Sequence, residues 1–187
     1  MLAGAAAQRI SDFHNATFFS TCITAGAGLG PVLSDALTVY HATHLNVATA
    51  GALDVAKIGS SRALMMAQTS KDGLKTNISP RFLLVSPAAL TLAEQLVAQL
   101  SPTVATEVNP FAGRLIAVGD ANLSGTRFYL LADPARLPQY VYGFLEGTPL
   151  RFEVRAGFEV EGLDAKVVTD FAVGAVEYRA GVTGAGA

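Results

Sequence analysis

Charge is scarce in this chain: 15% of its 187 residues are charged, with 13 Lys and Arg against 15 Asp and Glu. The formal net charge is -2, and no block of lysines or arginines occurs anywhere. The basic field that binds nucleic acid by releasing counterions is therefore missing, which leaves DNA or RNA at most a weak, nonspecific neighbour. Long apolar runs are missing too. Arg9, Asp12 and His14 interrupt the N-terminal stretch, and Glu94 and Gln95 interrupt the next candidate. No segment reaches the roughly 18 apolar residues of a membrane helix, so an integral membrane protein is not expected. A single cysteine, Cys22, excludes an intrachain disulfide. MLAGAAAQRIS has neither the basic start nor the leucine-rich middle of a secretory signal. Both features point to synthesis in a reducing cytoplasm.

What the chain has is apolar residues, 51% of it, many of them alanine and valine. That balance hints at surfaces covered by other subunits. The length fits one domain, or one with a satellite layer. A first helix is expected from Ala3 to Thr21, with Ala6, Ile10, Phe13, Thr17 and Cys22 at near-helical spacing, ended by GAGLGP. Residues 31–48 read as irregular chain with a short extended piece at Leu37 to His41. A second helix is expected from Leu53 to Thr69, its stripe formed by Val55, Ile58, Arg62, Met65 and Thr69. RFLLV, bounded by prolines, suits a buried strand; Ser86 then caps, and Pro87 starts, a helix through Leu100. RLIAVG and RFYLLA read as further strands.

Beyond Gln139 the period changes to two. Leu150, Phe152 and Val154 alternate with Arg151, Glu153 and Arg155, the pattern of an antiparallel meander with one buried face and one wet face. GFEVEGLDAKVVTDF adds a hairpin turning at Glu161 to Asp164, VGAVEYRAGV a last strand, and GVTGAGA a tail with no side chains to pack. The expected fold class is therefore α+β.

YHATHLN, residues 40–46, is the one stretch that suggests chemistry. His41 and His44 sit in a loop, without the same-face helical spacing, intervening glutamate and third ligand of a zinc site. Hydrogen bonding of the rings to backbone, and of Asn46 to its turn, is the simpler reading. GAGLG lacks the third glycine of a dinucleotide fingerprint and runs into Pro31 where a helix should begin. Cys22 has no nucleophile signature around it and reads as a small core residue. Met65 and Met66 read as gap-fillers on a helix stripe. Glu153, Glu159, Glu161 and Glu177 alternate with arginines on strand faces, which suits cross-strand charge pairing better than acid-base catalysis. No catalytic, cofactor-binding or metal-binding residue is assigned.

Four pieces then carry a resemblance: NISPRFLLVSPAALTLAEQL, NPFAGRLIAV, FYLLADP and GFEVEGLDAKVVTDFAVGAVEYRAG. In this order they resemble the C-terminal half of the Mu-like major capsid proteins of tailed phages, whose shells have the HK97-type fold. LSDALTVYHATHLN resembles the family segment in which F/Y-H-x-x-H-x-N follows S-D-G; Ala36 stands where that family often has glycine, and Tyr178 where it often has tryptophan. The resemblance, from Leu33 to Ala180, implies a partial HK97-like fold. In that reading residues 1–30 are the spine helix of the peripheral domain and 31–138 the axial domain. Residues 139–180 would be a returning β-rich segment and 181–187 a flexible tail. An N-terminal arm and an extended E-loop would precede the spine helix in the family, and that upstream half is expected to be lacking here.

The function this implies is that of a non-enzymatic head protein of a phage or prophage. In the full-length protein it would associate with itself into pentameric and hexameric capsomers of an icosahedral virion shell around DNA. A small α+β hydrolase using His41 or His44 with a carboxylate such as Asp35, or a domain with a ligand pocket under the glycine-rich loop, is the competing class. Calorimetry separates them at the histidines: the purified chain should bind zinc no more tightly than a His41→Ala, His44→Ala double variant.

Overall fold

The computed structural model describes residues 2–98, 111, 113–145, 150–156 and 162–187. Its centre is a four-stranded sheet of β1 (Pro80–Val85), β2 (Ile116–Gly119), β3 (Phe128–Ala132) and β8 (Gly181–Gly184), in the order β2-β1-β3-β8. β1 and β2 are parallel, which requires a crossover, and α4 (Pro87–Val97) lies in that connection and packs on both strands. β3 runs antiparallel to β1 and to β8.

FLLV, residues 82–85, is apolar throughout because both faces of the strand are covered there, whereas Arg81 ahead of it is exposed. Leu83 and Val85, with Phe128, Leu130 and Val182, meet Ile58 and Met65 of α3 (Val55–Ala67) and Ala93 of α4 in one buried cluster. Leu84 and Tyr129 enter a second cluster with Phe19, Cys22, Ile23, Val39 and Tyr40. Each such large side chain removed from water contributes about 1.5–3 kcal/mol. The sheet thus has α3 and α4 on one face and, on the other, the end of the N-terminal helix with the irregular segment after it.

The N-terminal helix is α1 (Leu2–Phe18), which widens into a π-helical turn over Phe19–Ile23 and a single further turn, α2 (Ala25–Gly28). Ala6, Ile10 and Thr17 of the expected stripe are partly covered and Cys22 is buried, whereas Phe13 is 58% exposed and meets the ribbon through an edge contact with Phe171. Asp54 caps α3 by accepting from the Lys57 N–H at 2.6 Å. This helix stops at Ala67 rather than Thr69, because Gln68 leaves helical geometry to bond backbone elsewhere. Ser86 holds the N-cap position of α4 but gives no side-chain cap; its hydroxyl donates to the Gly125 carbonyl at 2.7 Å, tying the loop after β2. The expected end of α4 at Leu100 falls outside the described residues.

β4 (Tyr140–Phe144) pairs with β7 (Phe171–Ala175), and β5 (Arg151–Ala156) pairs with β6 (Leu163–Val168). The Leu145 N–H donates to Asp170 O between the two ladders, so together they make one two-stranded ribbon. Three expectations change here. Leu163 and Asp164 are strand positions opposite Ala156 and Arg155, so the hairpin does not turn there. The apolar face of β5 is not buried: Phe152 is 49% and Val154 51% exposed, and the outer ribbon contacts chiefly itself. The expected last strand is two strands, β7 and β8, parted by a turn that holds Tyr178.

The tail is the largest correction. Residues 181–184 are all buried, forming the edge strand that covers β3 and meets α3, and Val182 is 0% exposed. Glycine is required in it: a Cβ on Gly184 would overlap the Phe128 ring, and one on Gly181 the Gln139 amide. Small residues here mark close packing rather than freedom. Removing residues 181–187 should abolish the cooperative urea transition, and Gly184→Ala should lower stability by about 1–3 kcal/mol. A truncated chain that unfolds at the parent midpoint would restore the tail reading.

A buried histidine clasp as the candidate site

YHATHLN folds into a tight knot whose geometry follows from its polar side chains. His41 is extended and caps a single 3-10 turn, Ala42–His44, its Nδ1 accepting from the Thr43 N–H at 3.2 Å. Leu45 closes the turn in the left-handed region, at φ 55°. Asn46, fully buried, returns to the start of the segment: Oδ1 accepts from the His41 N–H at 3.0 Å, and Nδ2 donates to Val39 O at 2.8 Å and Tyr178 O at 3.1 Å. One asparagine satisfies groups from three parts of the chain that would otherwise be buried without partners.

His44 is the centre of a second set of contacts. Its Nε2 lies 2.8 Å from Asp35 Oδ2 and its Nδ1 3.2 Å from Val39 O. Its ring stacks on Tyr178, with centroids 3.9 Å apart and planes 8° from parallel. The Arg179 guanidinium carbon sits 4.4 Å from the centroid of the same Tyr178 ring. Arg179 is held by Glu177 at 2.9 Å and donates Nε–H to Thr69 O at 2.7 Å, while Gln68 donates to His44 O at 2.9 Å. The clasp therefore joins the segment before α3, the chain just after it, and the turn between β7 and β8.

The structure brings Asp35 and His44 together, as a catalytic reading would require, but both ring nitrogens are directed at groups of the protein itself, the Asp35 carboxylate and the Val39 carbonyl. The ring is 6% exposed and one face is covered by Tyr178. His41 stands apart, its ring centroid 6.0 Å from that of His44. Clefts of about 720 and 600 Å³ lie on the ribbon, lined by residues such as Glu153 and Lys166 or Phe144 and Phe171, away from both histidines. Among the described residues no group of three or more His, Cys, Asp or Glu is placed to hold a metal ion.

The remaining candidates have structural surroundings. Burial pushes the Cys22 thiol up, away from the reactive thiolate. Burial likewise raises the hydroxyls of Tyr40 and Tyr140, which bond each other at 3.2 Å, and pushes Tyr129 up to about 12. Met65 is a core residue and Met66 is 38% exposed. Glu153 faces Lys166 across the β5–β6 ladder at 3.9 Å, and Glu177 belongs to the clasp. Glu159 and Glu161 lie outside the described residues. GAGLG forms a loop with Gly26 and Ala27 both near φ 58°.

Sequence reasoning missed Tyr178, Arg179 and Gln68 as partners of the histidines. It also missed His14, which sits between α1 and the ribbon, 2.9 Å from Thr169 Oγ1 and with its ring centroid 4.0 Å from that of Phe171. No local pattern announces either grouping, since Tyr178 and Thr169 lie more than 100 residues from the histidine segments they meet, and Gln68 lies 24 residues beyond His44.

Comparison with known proteins adds the family. A family model described as phage capsid protein matches residues 1–184. Among curated proteins none is similar enough to register as a relative. Among solved structures, a phage-related protein from Bordetella bronchiseptica RB50 is similar in fold, with a TM-score of 0.51 at 15% identity. The match covers 78% of this chain and 56% of that one. The present chain thus corresponds to little more than half of that protein's length.

The clasp predicts a particular acid response. The hydrogen bond from His44, then the Leu37 N–H, holds the Asp35 carboxyl below the ordinary carboxylate value. Its contribution to stability is therefore complete above about pH 4 and is lost as pH falls through the lowered native value. Urea titrations across this range should show Asp35→Asn less stable than the parent near pH 6, with the gap closing on the acid side. Tyr178→Ala, which strips the stack from both His44 and Arg179, should cost about 1–3 kcal/mol at either pH.

Proposed function

The chain belongs to the phage capsid protein family, and we propose that it is a shell subunit whose work is to bind further copies of itself. The observation that carries this reading is the ribbon. A two-stranded sheet is marginal alone in water, yet β5 and β6 carry an apolar face with Phe152 and Val154 half exposed, opposite cross-strand partners Val167 and Ala165. Leu145 and Val176 add exposed apolar surface, at 62% and 55%. The other ribbon face is charged and internally paired, Arg151 with Asp170 and Glu153 with Lys166. Such one-sided surface marks an interaction site.

The finer reading is an HK97-type shell protein of the Mu-like kind, in the parts given by the sequence: spine helix at 1–30, axial domain at 31–138 and returning strands at 139–180. What supports it is the order of elements. A long N-terminal helix lies against the β4–β7 ribbon through Phe13 and His14 on Phe171, and an α+β body intervenes between them in the chain. Residues 181–184 join that body rather than trailing from it. In this proposal capsomers are pentamers and hexamers, the location is the virion, and DNA is a neighbour that a chain of net charge -2 touches only weakly. Curvature of a closed shell then comes from small angular changes between nearly rigid subunits.

The test is self-association. Association must first offset roughly 4–15 kcal/mol of lost rigid-body freedom, so removing apolar surface from the ribbon should be felt strongly. Phe152→Ser with Val154→Ser should leave thermal stability within about 0.5 kcal/mol, since both residues are exposed. The pair should nonetheless lower the concentration-dependent mass seen by light scattering. Self-association indifferent to both substitutions would contradict the reading.

A further inference from the structure

The glycine-rich loop is the one singled-out motif that neither the clasp nor the ribbon uses, and it forms one wall of a cleft of about 240 Å³. Among the described residues the cleft is lined by Thr24, Gly28, Leu123, Ser124, Arg127 and Tyr129, among others, and by no acidic side chain. Arg127 lies across Gly28 so closely that a Cβ there, at φ +84°, would come within 2.8 Å of its Cδ and Nε. Tyr129 donates from below to Gly28 O at 3.1 Å. The arginine is thus seated by the glycine rather than dangling.

What Arg127 lacks is a counterion. Arg179 has Glu177 at 2.9 Å, and Arg151 and Lys166 have Asp170 and Glu153. Arg127 is partly buried, unlike the exposed Arg151 and Lys166, and among the described residues it has no ion pair and one long hydrogen bond, 3.5 Å, to the Thr183 hydroxyl. A partly desolvated guanidinium with no anion is unfavourable, and its planar fork suits one carboxylate held by two bonds. Beside it the Ser124 hydroxyl makes no bond among the described residues, whereas the Thr24 proton is already given to Phe19 O at 3.1 Å. The cleft therefore presents a fork and one hydroxyl to a single small oxyanion.

We infer that this cleft is a binding site for one carboxylate, supplied by an acidic side chain of a second copy of the chain; the source rests on the self-association reading. A nucleic-acid backbone is the poorer fit, because phosphates are engaged by a track of cations and here the cleft holds one.

Sodium acetate is the probe, titrated into the whole chain against sodium chloride of equal ionic strength, with the Arg127 Nε–Hε NMR signal as readout. Acetate should move this signal saturably and chloride should not. Ser124→Ala should weaken acetate binding roughly tenfold, the share of one hydrogen bond to a charged group, and Arg127→Gln should abolish it. Should Arg127→Gln fail to fold, the parent signal and Ser124→Ala decide alone. A response to acetate no larger than to chloride overturns the site. A saturable response to a short DNA duplex but not to acetate overturns the carboxylate. Arg127→Glu should reduce concentration-dependent mass in light scattering. If it associates as the parent does while acetate still binds the parent, the second-copy source is overturned and the carboxylate site stands, an outcome separate from loss of association in the ribbon variants.

Discussion

The structure depends on a small dry seam in which one amide has to satisfy three strangers. Asn46 is buried completely, and its side chain reaches the backbone at Val39, His41 and Tyr178. On either side of it the main chain pairs with the last strand, Thr183 N–H to Asn46 O at 3.0 Å and Ala48 N–H to Thr183 O at 2.7 Å. No other side chain has this donor and acceptor set at this length: aspartate would bring unpaired charge into the seam, and leucine would remove a bond from each of three backbone groups, leaving Val39 O to the His44 ring alone. With the seam closed, β8 is fixed, β3 is covered, and α3 has a strand to pack on. The histidines complete the same seam, and their polarity is spent on structure.

This arrangement leaves the molecule with a rigid body and a less protected periphery. Both faces of the central sheet are covered, whereas the ribbon beyond Phe144 rests mainly on its own ladder. A subunit that works by packing needs that division, because contacts between copies transmit a defined angle only if the bodies behind them do not deform. Membership in the phage capsid protein family and the uncovered apolar ribbon bear on each other for this reason. The cleft at Arg127 fits the same logic, a partly buried guanidinium with no ion pair among the described residues.

The sequence was legible where a short stretch contained its own explanation. RFLLV between prolines reads as a strand buried on both faces, and Pro87 fixes the start of the following helix; both are found. The pairing of Asp35 with His44 was nameable from nine residues of separation, although the burial of the imidazole was not. Illegible features depend on distant partners. GVTG has no apolar period, and only the ladder to Phe128–Leu131 and the clash a Cβ would meet reveal why it is small. The stack of His44 on Tyr178 spans most of the chain. Period two correctly grouped Phe152 with Val154 on one face, but periodicity says which side chains share a face and not whether anything covers it. Ser86 stood where a cap should, but its hydroxyl is turned to donate to Gly125 O, 39 residues along the chain, and accepts from no helix N–H.

Native-state amide hydrogen exchange, followed by NMR over a series of low urea concentrations, tests the seam most directly. The amides of His41, Ala48 and Thr183 belong to it, and those of Leu83 and Leu130 to the middle of the sheet. If the seam holds the body together, all five exchange through one opening, with the same free energy and the same urea dependence. If the seam amides exchange by a smaller, urea-insensitive opening while Leu83 and Leu130 stay protected, the clasp is a local ornament and the account is wrong.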